Sequence, residues 1–291
     1  MNTLSRTNLS LVAIIALLYC LLNLPEQTVP DRLTLSSLHA QDVSDIIIER
    51  QNRGEIQLHK KDQQWLVQHP LYAPANHTRI KLLLNVLSQP SYSQYQVSPE
   101  LDLQQFGLEP ASLILRLNQQ SFSFGGTEGL SQRRYIQHRG TIHLIDDTVS
   151  PLLNSSATSF IDNRLFGDNM QLTQLRLPLV STQSTTSLEQ ASTLKLIEGH
   201  WSSDTTMSSD QLSTLVANWQ HAYALQVTTV SDEQPVQENS HKLLFSFKGV
   251  DEEMEVFAHI EESTLVISNP RNRLRYHFPL ALAQQLFINK E

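Results

Sequence analysis

The chain of 291 residues contains a single cysteine, Cys20. One cysteine allows no disulfide within the chain and leaves no Cys-x-x-Cys motif for a metal or for redox chemistry. A body without cysteines avoids wrong disulfide pairing if it lies in an oxidising compartment. Its fold must then be held by hydrophobic cores alone, and a hydrophobic content of 40% is enough to build them.

Clustered basic residues are also scarce. The longest basic runs are Lys60-Lys61 and Arg133-Arg134, and the formal net charge is −8 at pH 7. Nucleic acids and anionic membrane surfaces are bound by clusters of Lys and Arg. The sequence therefore argues against a nucleic-acid partner and against a polybasic membrane patch.

Motifs for catalysis and for metal binding are few. The eleven histidines include no His-Glu-x-x-His and no His-x-x-x-His pair, so they are interpreted as solvated or interface residues rather than as ligands. His138 and His143, for example, fall on neighbouring strand-like runs with a turn between them. The carboxylate pairs at 146–147, 251–253 and 261–262 fall at turns, where we expect solvated charge. We predict no catalytic residue, no cofactor and no bound metal.

One glycine-rich stretch, with Gly125, Gly126 and Gly129, has the composition of a phosphate-binding loop. Such a loop also needs a Gly-Lys-Ser/Thr sequence and a following helix. Here a strand-like run precedes the glycines and another follows them. The stretch is therefore predicted to be a hairpin loop, with Arg133 and Arg134 on a solvated strand edge beside it.

Residues 9–24 read LSLVAIIALLYCLLNL and carry no charge. With the two polar residues before it, the run reaches the ~17–25 residues that a membrane-spanning helix needs. Arg6 precedes the run and Glu26 follows it, a weak bias that favours a cytoplasmic N-terminus and an exported body. The apolar residues of this predicted anchor are Leu9, Leu11, Val12, Ile14, Ile15, Leu17, Leu18, Leu21 and Leu22.

Three other interpretations of this run agree less well with the sequence. A cleavable signal peptide would end in a small-x-small site, which residues 23–26 do not offer. A lipoprotein signal needs small residues before its cysteine, but Leu18 and Tyr19 precede Cys20. A buried core helix would have a polar face. We therefore predict an uncleaved signal anchor at 9–24, after a cytoplasmic N-terminus at 1–8 and before a stem at 25–41.

The rest of the chain repeats one pattern of elements. KDQQWLVQHPLYAPANHTRIKLLLNVL, from Lys61, and LIEGHWSSDTTMSSDQLSTLVANWQHA, from Leu196, each hold a short apolar strand, a tryptophan, a polar run and an amphipathic helix. Alternating apolar runs with turn residues between them flank both copies and predict antiparallel meanders. In the first copy, Pro70 and Pro74 are predicted to stop strand pairing.

Each copy has one main predicted helix. Asn76 is expected to cap the first, and Ser209 or Asp210 the second, because their side chains can accept from the free amides of the first turn. Apolar residues at helical spacing form one stripe per helix, and a tryptophan packs on each helix from an equivalent place. The predicted core residues are Trp65, Ile80, Leu83, Leu84 and Leu87 in copy one and Trp201, Leu212, Leu215, Val216 and Trp219 in copy two.

The predicted fold class is therefore α+β: an N-terminal transmembrane helix, then two tandem related repeats, each a mainly antiparallel sheet with one main packing helix. Repeat 1 is assigned to residues 42–166 and repeat 2 to residues 167–291. The Ser/Thr/Gln-rich run at 181–192 has the composition of a linker. Its place within the repeat instead predicts an expanded hairpin loop.

Several stretches of the first copy carry a family resemblance: Trp65, LQQFGLEPAS from Leu103, RRYIQHRGTIHLI from Arg133 and SFIDNRLF from Ser159. Over most of residues 43–166 the chain resembles the bacterial domain-of-unknown-function 4340 family. The resemblance implies an exported, membrane-anchored α+β protein, associated with membrane export or ABC-type transport systems, and it brings no catalytic residues. The second copy has no stretch like FGLEP.

The expected function is non-catalytic: an accessory or scaffold protein in the inner membrane of a Gram-negative bacterium, with its body in the periplasm and another envelope protein as its partner. Edge strands and helix flanks are the expected docking surfaces. The alternative is a periplasmic module that binds a small or polymeric ligand in the groove between the repeats.

A charge test checks the anchor. We expect the full-length protein with Ile14→Arg and Leu18→Arg to leave the membrane fraction, because each arginine near the centre of a membrane helix costs about 2.5–3.5 kcal/mol of insertion free energy. Alkaline extraction of membranes followed by immunoblotting measures this. A matched variant with Thr7→Arg and Asn8→Arg, on the cytoplasmic flank, should stay in the membrane. Retention of both variants would contradict the anchor.

Overall fold

The computed structural model describes residues 33–167, 170–181, 191–230 and 240–290. Within these ranges no helix combines the length and the apolar character that crossing a bilayer requires. The predicted anchor at 9–24, with all nine of its apolar residues, lies outside the described ranges.

The described residues form two mostly antiparallel sheets and a few helices, which confirms the α+β prediction. The strands of the first sheet are β1 (Asp45–Arg50), β2 (Arg53–Lys61), β3 (Gln64–His69), β4 (Ala73–Pro74), β5 (Ser93–Gln96), β6 (Leu113–Leu117), β7 (Gln120–Thr127), β8 (Arg134–His138) and β9 (Thr141–Ile145). Those of the second are β10 (Leu172–Ser181), β11 (Ala191–Ile197), β12 (His200–Ser203), β13 (Gln226–Thr229), β14 (His241–Phe247), β15 (Val250–Glu261), β16 (Thr264–Asn269), β17 (Leu274–Pro279) and β18 (Ile288–Lys290). The α-helices are α1 (His77–Leu84), α2 (Ser150–Leu153), α3 (Ser209–Gln220) and α4 (Leu280–Leu286), and 3₁₀ turns lie at Ala40–Asp42, Asn85–Ser88, Leu103–Phe106 and Ala157–Phe160.

The two sheets share one strand order. The first runs β4-β3-β2-β1-β6-β7-β8-β9-β5 and the second β12-β11-β10-β14-β15-β16-β17-β13. The register agrees as well, since Lys60 pairs with Trp65 as Leu196 pairs with Trp201. Strands β10 and β11 are antiparallel neighbours, so the Ser/Thr/Gln-rich run joins two adjacent strands, although residues 182–190 lie outside the described ranges. Among the described residues β4 has no counterpart in the second sheet, where β18 instead pairs in parallel with β10.

Alternation along the strands turns one face of each sheet toward its helices. Successive side chains of a strand point to opposite faces, and Ile46 and Ile48 in β1 are fully buried, as are Leu243 and Phe245 in β14. These side chains and those of the helices belong to one hydrophobic cluster. The cores therefore lie between sheet and helix in both halves.

The predicted core residues lie in this cluster. Trp65, Ile80, Leu83, Leu84, Leu87, Leu212, Leu215, Val216 and Trp219 are buried, and Trp201 is half-buried and packs against them. Trp219 is the most fully enclosed tryptophan: its Nε1 donates to the carbonyl of Leu286 at 2.6 Å, and its ring packs on Phe245 and Phe287. Helix α4 is therefore fastened to α3 by a buried hydrogen bond.

The first turns of α1 and α3 are capped by nearby side chains, and the cap of α3 differs from the prediction. Asn76 Oδ1 accepts from the Arg79 amide at 3.1 Å and caps α1 as predicted. The cap of α3 is Ser208, one residue before the predicted Ser209. Ser208 forms a capping box with Gln211, whose side chain accepts from the Ser208 amide at 2.8 Å. A glutamine three residues after a serine is the sequence signal for this motif, and it decides between adjacent candidate caps.

Pro74 does not stop strand pairing, contrary to the prediction. It lies in the edge strand β4, opposite Leu66. Proline lacks an N–H to donate, so an edge strand can hold it where the ladder needs no donor. β4 is the last strand of the order, so Pro74 has a strand partner on one side only.

The FGLEP stretch covers the back of the first sheet. Phe106 meets the ring of Tyr135 edge-on at 5.0 Å, on the face opposite the buried Ile136. Gly125 and Gly126 lie at the end of β7, and the hairpin loop predicted for the glycine-rich stretch begins after Thr127. A Cβ on Gly125 would lie 2.3 Å from the carbonyl oxygen of Phe106, so the close approach of the two backbones requires glycine.

Substitution of this glycine tests the packing. We expect Gly125→Ala to lower the free energy of unfolding by about 1–3 kcal/mol, because the methyl group forces the backbones apart. Gly54→Ala is the control, since a Cβ at Gly54 meets no atom within 4 Å. Urea unfolding followed by tryptophan fluorescence measures both, and equal midpoints would contradict the close approach.

Candidate functional site

A connector, residues 157–166, joins the two repeats. It leaves α2 and reaches the edge of the first sheet, where Ile161 bridges to Ala75 and the Asp162 amide donates to the Pro74 carbonyl at 2.9 Å. The Asn76 amide donates to the Phe160 carbonyl at 2.7 Å. Phe160 and Ile161 are fully buried. After its 3₁₀ turn at Ala157–Phe160, the connector is therefore an extra extended segment laid along β4 and the start of α1.

The connector also hydrogen-bonds the second repeat. Asn163 exchanges two hydrogen bonds with Ala224: its Nδ2 donates to the Ala224 carbonyl at 2.8 Å, and the Ala224 amide donates to its carbonyl at 2.9 Å. Arg164 bridges to Tyr223, three residues before the start of β13. Phe166 packs on Phe245 at 4.9 Å in the second core. The connector thus hydrogen-bonds β4, at one edge of the first sheet, and the segment that leads into β13, the edge strand of the second sheet.

The outer edges, β5 and β12, are open. No described strand pairs with their outer sides. Neither strand contains a charged residue or a proline, the residues that usually protect an edge from pairing. Three of the four residues of β5, including Tyr95, are exposed. These edges present backbone donors and acceptors to any extended segment that meets them.

Three surface grooves lie among the described residues, and none of the three is lined by both repeats. A polar groove of about 840 Å³ in repeat 1 includes Asp45, His138 and Arg139. A groove of about 840 Å³ in repeat 2, the repeat-2 groove, lies between the start of α3 and the end of α4. A smaller groove of about 500 Å³ lies between the end of α3 and the start of α4.

Ser44 and Asp45 line the polar groove, and Asp45 also contacts His59, which lies outside the lining. His59 Nδ1 and Asp45 Oδ1 are 2.6 Å apart, and Ser44 Oγ donates to Asp45 Oδ2 at 2.7 Å. These hydrogen bonds from Ser44 and His59 lower the pKa of Asp45. In a serine nucleophile's triad the hydroxyl donates to the histidine. Here it donates to the carboxylate, so the arrangement orders the groove wall and does not activate Ser44.

A second serine pattern was missed by the sequence analysis. Ser192 and Lys195 have the Ser-x-x-Lys spacing of some acyl-transfer enzymes. Both lie in β11, where residues three apart point to opposite faces. Ser192 Oγ hydrogen-bonds Asp204 instead. The spacing brings no nucleophile and base together.

Three histidines are buried, contrary to the prediction that they are solvated. His138 stacks on Phe122 at 4.2 Å and its Nδ1 lies 2.9 Å from the Ser121 carbonyl, which fixes the tautomer that donates there. His143 Nδ1 lies 3.1 Å from Ser91 Oγ. Burial lowers the pKa of both imidazoles. The sequence places these two histidines on strands, where side chains alternate between a buried and an exposed face. Which face each histidine takes depends on how the strand pairs with its neighbours.

His259, the third, belongs to a polar cluster on the second sheet. Its Nε2 lies 3.3 Å from Arg275, which also donates to Glu261 at 2.7 Å. Its Nδ1 is buried with no hydrogen-bond partner. Burial, and then the Arg275 charge, lower the pKa of His259. Within the described ranges no three His, Cys, Asp or Glu residues are grouped so that they could hold a metal ion.

The paired carboxylates at 146–147 are not simply solvated. Arg133 Nε donates to Asp146 at 3.0 Å and lies over the Tyr92 ring, while Arg134 pairs with Asp147. Burial alone would raise the pKa of Asp147, but hydrogen bonds from Ser150 and Arg134 outweigh it and lower that pKa. The two arginines therefore hold β8 against the end of β9 by ion pairs. Their charges are balanced within the fold and are not reserved for an external anion.

The fold and its surfaces define a class: a two-repeat α+β protein with one sheet edge covered by the connector, open edges at β5 and β12, and shallow grooves. The chain belongs to the family described as "Domain of unknown function (DUF4340)", whose model matches residues 65–240, and this confirms the family resemblance. Comparison with the curated proteins and with the solved structures gives no significant match.

The buried histidines predict a pH dependence. Their folded pKa values lie below the unfolded value of ~6.5, so the unfolded state binds protons first as the pH falls. We expect the free energy of unfolding to decrease from about pH 7 to pH 5, and His138→Asn with His143→Asn to flatten that decrease. Urea unfolding across this range measures it. The exposed His200→Asn is the control, and an unchanged slope in the double variant would contradict the assignment.

Proposed function

We propose that the protein is a non-catalytic accessory protein, anchored in the bacterial inner membrane by residues 9–24, whose periplasmic body docks another envelope protein. One observation carries the proposal. The β4 edge of the first sheet is covered by the connector, whereas the edges β5 and β12 are open and have no charge or proline to prevent pairing.

Other features agree with a docking role. The family resemblance implies an association with membrane export or ABC-type transport systems, and such an association would give the periplasmic body a protein partner. The acidic and basic residues at 133–134 and 146–147 pair with one another. Ser44 and Ser192 both hydrogen-bond carboxylates, so neither is poised for catalysis.

A second candidate function is ligand binding in the polar groove of repeat 1. His138 lines that groove and uses Nδ1 for the Ser121 carbonyl, which leaves Nε2 as an acceptor in the neutral ring. Arg139 offers donors and Asp45 offers an acceptor in the same groove. A small polar molecule would fit this set better than an apolar one.

Site-specific photo-cross-linking tests the docking proposal. With a photo-reactive residue at Gln94 in β5 or Ser202 in β12, the full-length protein in its native membrane should cross-link one defined envelope protein, because β-pairing brings the partner backbone alongside the edge. The same product should form when residues 9–24 are exchanged for an unrelated membrane helix.

The control position is Gln63, which is exposed in the turn between β2 and β3. Cross-links from all three positions alike, or from none, would overturn docking through the edges. Thermal stabilisation by a small polar molecule, abolished by Asp45→Asn, would favour the second candidate instead.

A further inference from the structure

The repeat-2 groove occupies the place that the connector fills in repeat 1. Asn76 and Ser208 are the caps of the equivalent helices α1 and α3. The two residues before each cap therefore correspond: Pro74 and Ala75 in repeat 1, Thr206 and Met207 in repeat 2. Both α2 and α4 close their repeats after the equivalent strands β9 and β17.

The equivalent positions differ in burial. Ala75 and Asn76 are each 8% exposed because Phe160 and Ile161 lie over them. In repeat 2 Met207 is half-buried and Ser208 is exposed. The chain after α4 runs along β10 as β18, so no described residue crosses the start of α3 as the connector crosses α1.

The hydrogen bonds differ in the same way. Pro74 and Asn76 bond the connector through their backbones. Among the described residues the backbone groups of Thr206 and Met207 make no hydrogen bond. The Ser208 amide is taken by the side chain of Gln211, at the position where Asn76 binds the carbonyl of Phe160. In repeat 2 the Gln211 side chain therefore accepts the hydrogen bond that the Phe160 carbonyl of the connector accepts in repeat 1.

The groove has a mixed lining, in which apolar side chains lie among threonine, glutamine and asparagine side chains, and this lining fits an extended segment with a few apolar residues. Leu179, Met207, Leu215 and Phe287 supply apolar surface. The charged lining residues are Asp204 and Asp210, and the groove lining contains no lysine or arginine. The volume of about 840 Å³ suits two large side chains and their backbone.

We propose that the repeat-2 groove binds an extended segment of the partner protein, with two adjacent large apolar residues in the places that Phe160 and Ile161 take in repeat 1, and with a basic residue beside them. The segment pairs with the backbone of Thr206 and displaces Gln211 from the Ser208 amide. This inference rests on the proposed docking function and gives the partner's chemistry at one site.

The probe is a fluorescein-labelled peptide with the connector's own sequence, residues 157–164, ATSFIDNR. Fluorescence anisotropy with the detergent-solubilised full-length protein should show saturable binding. Replacing the Phe and Ile of the peptide by Ser should weaken binding at least about tenfold, because both apolar side chains then lose their burial.

Two protein variants place the peptide in the groove. Thr214→Trp fills the groove from the exposed side of α3 and should abolish binding, whereas the adjacent Ser213→Trp, outside the lining, should leave it unchanged. Gln211→Ala frees the Ser208 amide and should tighten binding about twofold to tenfold. A role of Gln211 in folding alone would not strengthen peptide binding.

Each other outcome overturns the inference. Absence of binding to both wild type and Gln211→Ala excludes the groove as a peptide site. Equal binding to both tryptophan variants places the peptide elsewhere. Binding only after residues 182–190 are replaced by a Gly-Ser linker assigns the groove to the chain's own segment rather than to a partner. Cross-links from β5 or β12 that persist in these cases would leave the docking function standing and remove only this site.

Discussion

The backbone hydrogen bonds of the connector are the interaction on which the arrangement of the two repeats depends. Its residues bond Pro74 and Asn76 on one side and Ala224 on the other, so a single segment covers the β4 edge of the first sheet and holds the chain that leads into β13 of the second. An unpaired edge exposes donors and acceptors that must find water or another chain. By covering β4 with this segment, the chain leaves other edges, β5 and β12 among them, for other molecules.

Duplication of one fold has left two unequal halves. Repeat 1 has β4, the FGLEP turn behind its sheet and the connector across its helix. Repeat 2 has longer helices, the buried bond of Trp219 to Leu286, and β18 along β10. The two halves have the same strand order, but different segments cover their sheets and helices. Their surfaces therefore differ. The repeat-2 groove and the polar groove of repeat 1 follow from these differences, not from the shared topology.

Several polar residues in and beside the cores stabilise the fold, although the sequence suggested that they are solvated. Arg133 and Arg134 pair with the carboxylates at 146–147, and His138 stacks under a phenylalanine. Such groups are costly to bury without partners, and most of them have one. His259 is an exception at Nδ1. The presence of charged residues and histidine at these positions is therefore explained largely by their contacts within the fold.

Much of this could be predicted from the sequence, because local periodicity and capping chemistry act over a few residues. The strands around Ile46 and Leu243, the cap at Asn76, the α+β class and the family all follow from patterns within short windows. Pro74 as an edge residue, buried His138 and the close approach at Gly125 do not, since they depend on which strand is last in the sheet and what lies across it. Partners far apart in sequence decide them, and only the tertiary structure brings those partners together.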